Sequence, residues 1–262
     1  MAIHKNGLIS YFSFNQLDNE GILHGIFMRH GGCSPQPWSS LNLATSVGDS
    51  RENVIENRNR ISDSLGIERN TFFDVWQVHS SKVIYADKPR RVGEPHVQAD
   101  GILTDQPEIA LLMLFADCVP ILFYDPRKKA GAVAHAGWQG TFKQVAAATA
   151  QAMIDQFACN AADILACIGP SICQEHYEVG EEVAVAADRL FDRKEKVVLQ
   201  ADNHYFVNLQ LANQIILERA GLRMIEQAQI CTACNNPDWF SHRSEKGQTG
   251  RFGAVLTLKN NG

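Results

Sequence analysis

The sequence predicts one domain that combines buried β-strands with amphipathic helices, and three observations lead to this prediction. Residues 109–124 contain only two side chains that are neither apolar nor proline, so this stretch belongs in the core. Apolar residues at helical spacing lie on both sides of it, at 51–65 and 142–157. No stretch rich in proline, serine or charge divides the chain, so we expect a single catalytic domain over residues 1–262.

Strands are predicted where apolar and polar residues alternate, and helices where apolar residues recur every three or four positions. In chain order, we predict strands at 8–14, 22–28, 72–85 (a pair joined by a turn at Ser80 and Ser81), 99–104, 130–134, 164–168 and 205–207, a last strand in the tail, and helices at 51–65, 142–157, 175–191 and 209–220. Asp49 or Ser50 suits the N-cap of the first helix, and Thr141 suits that of the second. Gly221 ends the last helix.

The connection at residues 29–50 is longer than most and is rich in glycine, proline, serine and asparagine. Such a loop is either functional or disordered. Trp38, Leu41 and Leu43 supply apolar anchors within it. We therefore expect an ordered loop.

The central run predicts two buried strands broken at Pro120, followed by a short strand that ends at His135. Gly137 and Gly140 then allow a tight bend into a helix. Cys118 and His135 thus stand at strand ends beside a glycine-rich turn. Chemistry is common at such places, because the sheet fixes the reactive group and the loop admits a substrate.

His79, at the predicted end of a third strand, completes a candidate constellation with Cys118 and His135. The three residues are far apart in the chain, so only the fold can bring them together. A cysteine and two histidines suit Zn²⁺ and leave a fourth position open for water or substrate. The same residues could instead form a metal-free nucleophile pair of cysteine and histidine. Each residue alone is more often part of a core.

Composition narrows the class of partner. An apolar content of 45%, a charged content of 20% and a net charge of -5 describe an ordinary globular protein and weigh against nucleic acid as the main partner. The N-terminal apolar run is too short for a signal peptide, and no later stretch reaches the ~18 apolar residues of a membrane helix, so we expect no membrane partner and a cytoplasmic protein. Seven scattered cysteines fit reduced thiols better than a disulfide framework.

Several segments are similar, in order and spacing, to one known family: RHGGCSPQPWSSLNL, GDSRENVIENR, QVHSSKVI, ADGILT, FADCVPILFYDP, AHAGWQGT, CIGPSIC and TGRFGAVL. Over residues 22–258 the chain resembles the YfiH/YlmD family, also called the laccase-domain or polyphenol oxidase family. The resemblance implies an α+β fold, a layered sandwich of two packed mixed β-sheets flanked by helices, similar to the catalytic fold of the cytotoxic necrotizing factors. It also implies that His79, Cys118 and His135 hold Zn²⁺.

The activity that this resemblance implies is phosphorolysis of purine nucleosides (adenosine, inosine and methylthioadenosine), with adenosine deaminase as a further activity. Phosphorolysis needs cations and N–H donors for phosphate beside an apolar base pocket. We predict phosphate contacts from Arg58, the backbone at Gly137 and Arg243 or Arg251, sugar contacts from Ser34 and Asn42, and a base pocket lined by Phe115 or Trp138. The predicted catalytic residues are His79, Asp117, Cys118 and His135, with Asp117 as a base in deamination.

Three other functions stay open. One is a cysteine hydrolase that edits a peptidoglycan precursor, with Cys118 as nucleophile. Another is a non-enzymatic module with structural zinc, in which Cys231 and Cys234 assist. The third is a copper-dependent polyphenol oxidase. The chain has nine histidines and no His-x-His pair, so we expect any copper in the zinc site to be adventitious.

Overall fold

The computed structural model describes residues 1–91 and 93–258. The strands are β1 Ala2–Asn6, β2 Ile9–Ser13, β3 Leu23–Phe27, β4 Phe72–Phe73, β5 Val83–Tyr85, β6 Gly101–Thr104, β7 Ala110–Phe115, β8 Val119–Asp125, β9 Ala130–Ala136, β10 Leu165–Ile168, β11 Glu178–Val179, β12 Val198–Ala201, β13 His204–Val207, β14 Met224–Gln227 and β15 Phe252–Thr257. The α-helices are α1 Asn15–Asn19, α2 Arg51–Leu65, α3 Trp138–Phe142, α4 Val145–Phe157, α5 Glu181–Asp188 and α6 Leu209–Arg219. Among the described residues, no helix is long and apolar enough to cross a membrane.

Two six-stranded sheets form the body of the fold. Their strand orders are β1-β2-β3-β15-β7-β4 and β14-β10-β8-β9-β6-β5, and a three-stranded sheet β11-β13-β12 stands apart. Both large sheets are mixed, because β4 and β7, β5 and β6, and β10 and β14 pair in parallel while their other neighbours are antiparallel. The C-terminal strand β15 lies in the middle of the first sheet, between β3 and β7.

The two large sheets bury one common core between them. Ile26, Met113 and Leu256 from the first sheet cluster with Leu122 and Val133 from the second, and all five side chains are buried. Full burial of one such side chain contributes about 1.5–3 kcal/mol, so this layer is a major source of stability.

Helices cover the outer faces of both sheets. Ile61 and Leu65 of α2 pack with Leu112 on the first sheet. Met153 of α4 and Ile216 of α6 pack in the cluster that covers the second sheet. The predicted α+β fold of packed mixed sheets with flanking helices is therefore confirmed. The likeness to the cytotoxic necrotizing factors and the single domain over residues 1–262 stay predictions.

The break in the central run lies at Asp117 and Cys118, so the predicted break at Pro120 is wrong. Asp117 has φ 82°, which turns the chain between β7 and β8. Pro120 is the second residue of β8 and pairs with His135 of β9. The first residue of β8 that pairs with β10 is Ile121, so the missing N–H of Pro120 falls just outside that ladder.

The predicted strand pair at residues 72–85 is also wrong. β4 joins the first sheet beside β7, whereas β5 joins the second sheet beside β6. The chain between them crosses from one sheet to the other and carries His79 with φ 57°. His79 therefore lies on a loop between sheets and not at the end of a strand.

Among the helices, α2 and α6 confirm the prediction, and the side chain of Ser50 caps α2 by accepting from the backbone N–H of Asn53 at 3.1 Å. The helix predicted at 142–157 begins only at Val145. Gln144 adopts φ 60° and separates it from the short helix α3, so Thr141 is not its N-cap. The helix predicted at 175–191 is reduced to α5, because residues 174–179 form a 3₁₀ turn and a short strand.

Candidate functional site

The structure brings His79, Cys118 and His135 together. They come from the β4–β5 loop, the β7–β8 turn and the end of β9, and their ligand atoms all lie within 4.8 Å of one another. His135 is buried, and His79 and Cys118 are half-buried. Three donors at this spacing, on one side of a rigid sheet, could hold a metal ion.

Asp100, which precedes β6, organises the two histidines. Its carboxylate accepts from Nδ1 of His135 at 2.9 Å, which leaves Nε2 of that ring as the ligand atom. It also accepts from the backbone N–H groups of Val78, His79 and Ser80 at 3.2, 3.0 and 2.6 Å, and from the Ser80 hydroxyl at 2.8 Å. A single buried carboxylate thus orients one ring and holds the loop that carries the other.

The charges of this cluster follow from its burial and its hydrogen bonds. Burial opposes ionisation of Asp100, but bonds from His135 and Ser80 outweigh it and lower the pKa of Asp100 to about 2. Burial also opposes the charged form of His135, but the nearby Cys118 and Asp100 raise its pKa to about 9. For His79, burial and then the neighbouring His135 lower the pKa, so this ring stays neutral with a lone pair for a ligand.

Gly137 leaves the space in which the ligand atoms meet. A Cβ atom at this position would lie 2.6 Å from Nδ1 of His79 and 2.9 Å from Sγ of Cys118. Its φ of -73° is open to any residue, so glycine is required here for space and not for conformation. Nδ1 of His79 is buried and has no hydrogen-bond partner in the described chain. Such an orphaned nitrogen beside a thiol fits a metal ligand.

A cavity of 1330 Å³ opens beside these residues. Its volume exceeds the roughly 300–1,000 Å³ of most small-molecule sites, so a nucleoside and an anion would fit together. Trp76, Trp138 and Tyr177 contribute aromatic surface to its wall. The arginines that line it are Arg51, Arg58, Arg69, Arg90, Arg91, Arg243 and Arg251.

Arg58 lines the cavity, as a phosphate contact requires, but part of its guanidinium is already bound. Nε and Nη2 donate to the carbonyl of Leu43 at 3.2 and 3.0 Å, and Nη1 donates to Asp74 at 2.8 Å. Asp74 is buried and also binds Arg90 and His96, and these three partners overcome burial and hold its pKa well below the usual range. Of the five N–H donors of Arg58, two are left for a ligand.

Arg251 also lines the cavity. Its Nη1 donates to the carbonyls of Thr249 and Gly250 at 3.2 and 2.9 Å, which leaves three N–H donors. Burial lowers the pKa of Arg251, whereas the adjacent Cys118 and Asp117 oppose this lowering. The guanidinium therefore sits within electrostatic reach of the Cys118 thiol.

The structure does not bring Ser34 and Asn42 to the cavity, which corrects their expected position. Both are buried, and both donate to Asp49, the Ser34 hydroxyl at 2.6 Å and the Asn42 amide at 2.8 Å. Asn42 also accepts from the backbone N–H of Arg251 at 2.9 Å. These residues build the ordered 29–50 loop and support Arg251, and direct sugar contacts from them stay a prediction. Phe115 is likewise buried in the core, stacked on Phe252.

Asp117 joins three segments of the chain around the site. Its two carboxylate oxygens accept from the Thr232 hydroxyl at 2.6 Å and from the backbone N–H of Arg243 at 2.7 Å. Its carbonyl accepts from Ile172 at 3.0 Å. These contacts give Asp117 a positioning role, and its service as a base stays a prediction.

A second group of potential ligands contains the two cysteines expected to assist a structural zinc. Cys231 and Cys234 meet Cys173 and His176, and the four ligand atoms lie within 4.8 Å of one another. Neither cysteine belongs to the histidine cluster at Cys118.

The comparison with known families identifies the chain. The family model described as multi-copper polyphenol oxidoreductase laccase matches residues 23–259. The chain belongs to this family. The expected resemblance is thereby confirmed, because relatives of this chain carry the names YlmD and YfiH.

Two relatives of this chain, from different bacteria, are both named as purine nucleoside phosphorylases. Purine nucleoside phosphorylase YlmD of Bacillus subtilis is 33% identical over 251 residues, which span 92% of this chain and 90% of YlmD. A purine nucleoside phosphorylase of Deinococcus radiodurans is 35% identical over 240 residues, with 92% and 90% covered. Relatives with these names support the expectation of an enzyme.

Solved structures agree with the fold. The crystal structure of YlmD from Geobacillus stearothermophilus matches with a TM-score of 0.92 at 28% identity, over 98% of this chain and 99% of that one. Bacillus licheniformis YfiH matches with a TM-score of 0.91 at 31% identity and the same coverage.

Asp100 is the residue of the candidate site that motif spacing missed. It stands in the ADGILT segment, and the only local signal is a carboxylate at the start of a buried strand. Its carboxylate accepts five hydrogen bonds from two segments, residues 78–80 and His135, so pattern alone could not assign its role. For the second ligand group, the sequence shows two motifs, Cys-x-x-His at residues 173–176 and Cys-x-x-Cys at residues 231–234. Only the structure shows that these two motifs lie side by side.

Proposed function

We propose that the protein is a zinc-dependent purine nucleoside phosphorylase that acts on adenosine and inosine, and also on methylthioadenosine. The observation that carries the proposal is that one cysteine and two histidines, which could hold a metal ion, line a large cavity together with arginines and aromatic rings. Phosphorolysis needs both an anion site and a base pocket near one reacting carbon. The names of the relatives from Bacillus subtilis and Deinococcus radiodurans support the same activity.

Zinc is the metal that best suits the ligand set. One thiolate and two imidazoles form a three-ligand site with an open position, whereas a blue-copper site adds a weak axial ligand such as methionine. His79, Cys118 and His135 would hold the ion, and Asp100 would keep His135 in the ligating tautomer. When bound, Zn²⁺ supplies Lewis acidity toward a purine or a water molecule.

The remaining donors of Arg58 and Arg251 supply the charge that phosphate requires. Phosphate binds well to planar guanidinium groups, because two N–H donors can reach two of its oxygens. Trp138 and Tyr177 offer ring faces to the purine. Deamination of adenosine, with Asp117 as base, belongs to the proposal only as a side activity, because both carboxylate oxygens of Asp117 already accept hydrogen bonds.

Incubation of the purified protein with inosine, with and without phosphate, tests the proposal. We expect hypoxanthine and ribose 1-phosphate to form only when phosphate is present. Metal analysis of the same preparation, made without added metal, should find zinc. Base release that is independent of phosphate would contradict the proposal, and so would oxidation of a phenol by copper-loaded protein with no turnover of any nucleoside.

A second candidate, a cysteine hydrolase for an amide in a peptidoglycan precursor, is favoured by one observation. Cys118 lies beside His135, and Nδ1 of His135 donates to Asp100. This is the arrangement of a Cys-His-Asp triad. This mechanism leaves Nδ1 of His79 without a function. As a zinc ligand, Cys118 should react slowly with iodoacetamide until a chelator is added, whereas a free nucleophile should react rapidly at once.

We predict that Arg58→Gln raises the KM for phosphate about ten- to hundredfold, because a charge-assisted anion contact is worth roughly 1.5–3 kcal/mol. The KM for inosine should change little. Initial rates over a range of phosphate concentrations at saturating inosine measure this difference.

Arg60→Gln is the matched control for this variant. Arg60 lies on the same helix, contacts Glu56 and the carbonyl of Gly31, and does not line the cavity. It should leave both KM values unchanged. Equal increases of both KM values in Arg58→Gln would show that Arg58 only supports the fold.

We predict that Asp100→Asn lowers the affinity for Zn²⁺ by about 10–100-fold, the usual cost of losing the partner of a ligating histidine. The asparagine side chain also presents an N–H donor to His135 and Ser80, which themselves donate to Asp100. Competition with a chromogenic chelator measures the affinity.

Asp125→Asn is the matched control, because Asp125 is equally buried and accepts from two backbone N–H groups at the far end of β8. Both variants should lose stability, and a loss of zinc affinity in both would contradict the assigned role.

A further inference from the structure

The group of four potential ligands lies outside the proposed active site. Cys173 and His176 follow β10, and Cys231 and Cys234 follow β14. A bridge between Ser171 and Cys231 holds the two segments side by side. The Ser171 N–H donates to the carbonyl of Ile230 and the Thr232 N–H donates to the carbonyl of Ser171, both at 3.1 Å. The backbone therefore fixes the positions from which the four side chains converge.

The distances between these side chains match a tetrahedral metal site. Nδ1 of His176 lies 3.2 Å from Sγ of Cys173, 3.4 Å from Sγ of Cys234 and 4.0 Å from Sγ of Cys231. Zn–S bonds of about 2.3 Å and a Zn–N bond of about 2.0–2.1 Å at tetrahedral angles give an N···S separation of about 3.6 Å. The three distances lie on both sides of this value. One ion at the centre would therefore reach all four atoms.

We propose that Cys173, His176, Cys231 and Cys234 bind a second Zn²⁺ ion, which is structural. Three thiolates and one imidazole complete a closed tetrahedral shell, so no position is open for a substrate. The backbone N–H groups of Cys173 and Cys234 donate to Sγ of Cys231 at 3.3 and 3.4 Å, and such bonds stabilise a thiolate ligand. All seven cysteines of the chain are free, so no disulfide competes for these sulfurs.

The second ion holds together two segments that shape the cavity. The carbonyl of His176 accepts from Nη1 of Arg243 at 3.1 Å, and the guanidinium of Arg243 lies 5.2 Å above the ring of Tyr177. On the other segment, Thr232 follows Cys231 and donates to Asp117, the neighbour of Cys118. The ion thus ties the cavity wall at Tyr177 and Arg243 to the turn that carries Cys118.

Counting metal in wild-type protein and two variants tests the proposal. Native mass spectrometry and elemental analysis should find two zinc ions per chain in the wild type and one in Cys234→Ser. Cys234 is exposed, so this substitution disturbs no core. Cys33→Ser replaces an exposed cysteine outside both groups and should keep two ions. In Cys118→Ala, X-ray absorption at the zinc edge should find three sulfur ligands and one nitrogen around the ion that remains, whether or not the active-site ion is catalytic.

A measurement on the wild type covers the case in which a variant fails to fold. Alkylation followed by peptide mapping should show Cys173, Cys231 and Cys234 protected in the zinc-loaded protein and modified after chelation, with Cys33 modified in both states. The proposal is overturned if Cys118→Ala protein contains no zinc, if Cys234→Ser keeps two ions, or if a disulfide links two of the three cysteines in protein purified under reducing conditions.

Discussion

Cys118→Ala is expected to lose one zinc equivalent per chain relative to the wild type and to lower kcat/KM for phosphorolysis about a thousandfold or more. The ligand atoms of His79, Cys118 and His135 lie within 4.8 Å of one another, and removal of the thiolate leaves only two imidazoles to hold the ion. Metal-based charge stabilisation is worth several kcal/mol in a transition state, and each 1.36 kcal/mol is about tenfold in rate. Elemental analysis and phosphate-dependent release of hypoxanthine measure the two effects separately.

Cys167→Ala is the matched control for the loss of a thiol. Cys167 lies on β10, next to β8 in the same sheet, and is fully buried in the core between the sheets. We expect this variant to be less stable but to keep its zinc and its activity. Retention of the full zinc content by Cys118→Ala would contradict the site, and loss of activity with zinc retained would favour the cysteine nucleophile.

Gly137→Ala is expected to lower zinc affinity by at least as much as Asp100→Asn, because one methyl group would occupy the space between two ligand atoms. Its Cβ would approach Nδ1 of His79 to 2.6 Å and Sγ of Cys118 to 2.9 Å, which is closer than side-chain carbons come to such atoms. Relief of the clash requires the ligands to separate. Titration with Zn²⁺ in the presence of a chromogenic chelator measures the change, and circular dichroism verifies the fold.

Gly140→Ala tests whether the effect comes from this one position. Gly140 is three residues further along, in α3, and the three atoms nearest to its Cβ would be the carbonyl of His135 at 3.2 Å, a methyl of Val145 at 3.4 Å and the carbonyl of Ser80 at 3.5 Å, none of which is a ligand atom. Alanine also has a better helix propensity than glycine. We expect Gly140→Ala to bind zinc like the wild type. Equal losses in both variants would mean that the turn as a whole, and not the space at Gly137, sets the affinity.

Those parts of the fold that depend on neighbouring residues were predictable from the sequence. The buried character of residues 109–124 follows from composition alone, because a strand without polar side chains cannot face water. The helix Arg51–Leu65 has the predicted bounds, because Ser50 caps one end through a local hydrogen bond and Gly66, with φ 69°, ends the other. Such signals act within a few residues of the chain.

The failed predictions involve contacts between distant segments. The chain breaks at Asp117 because its carboxylate is held by Thr232 and Arg243, more than 100 residues away. Ser34 and Asn42 lie away from the cavity because both donate to Asp49, and their contact with a sugar stays a prediction.

The sequence by itself determined the core run, the main helices, the family and the identity of the three residues that converge at the cavity, because side-chain chemistry and local patterns encode each of these. Tertiary structure decided that Asp100 orients His135 and holds the loop of His79, that Gly137 provides space, and that Cys173 and His176 meet Cys231 and Cys234. The physical reason is that each of these features is a contact between segments far apart in the chain. Only the packing of the two sheets brings those segments together.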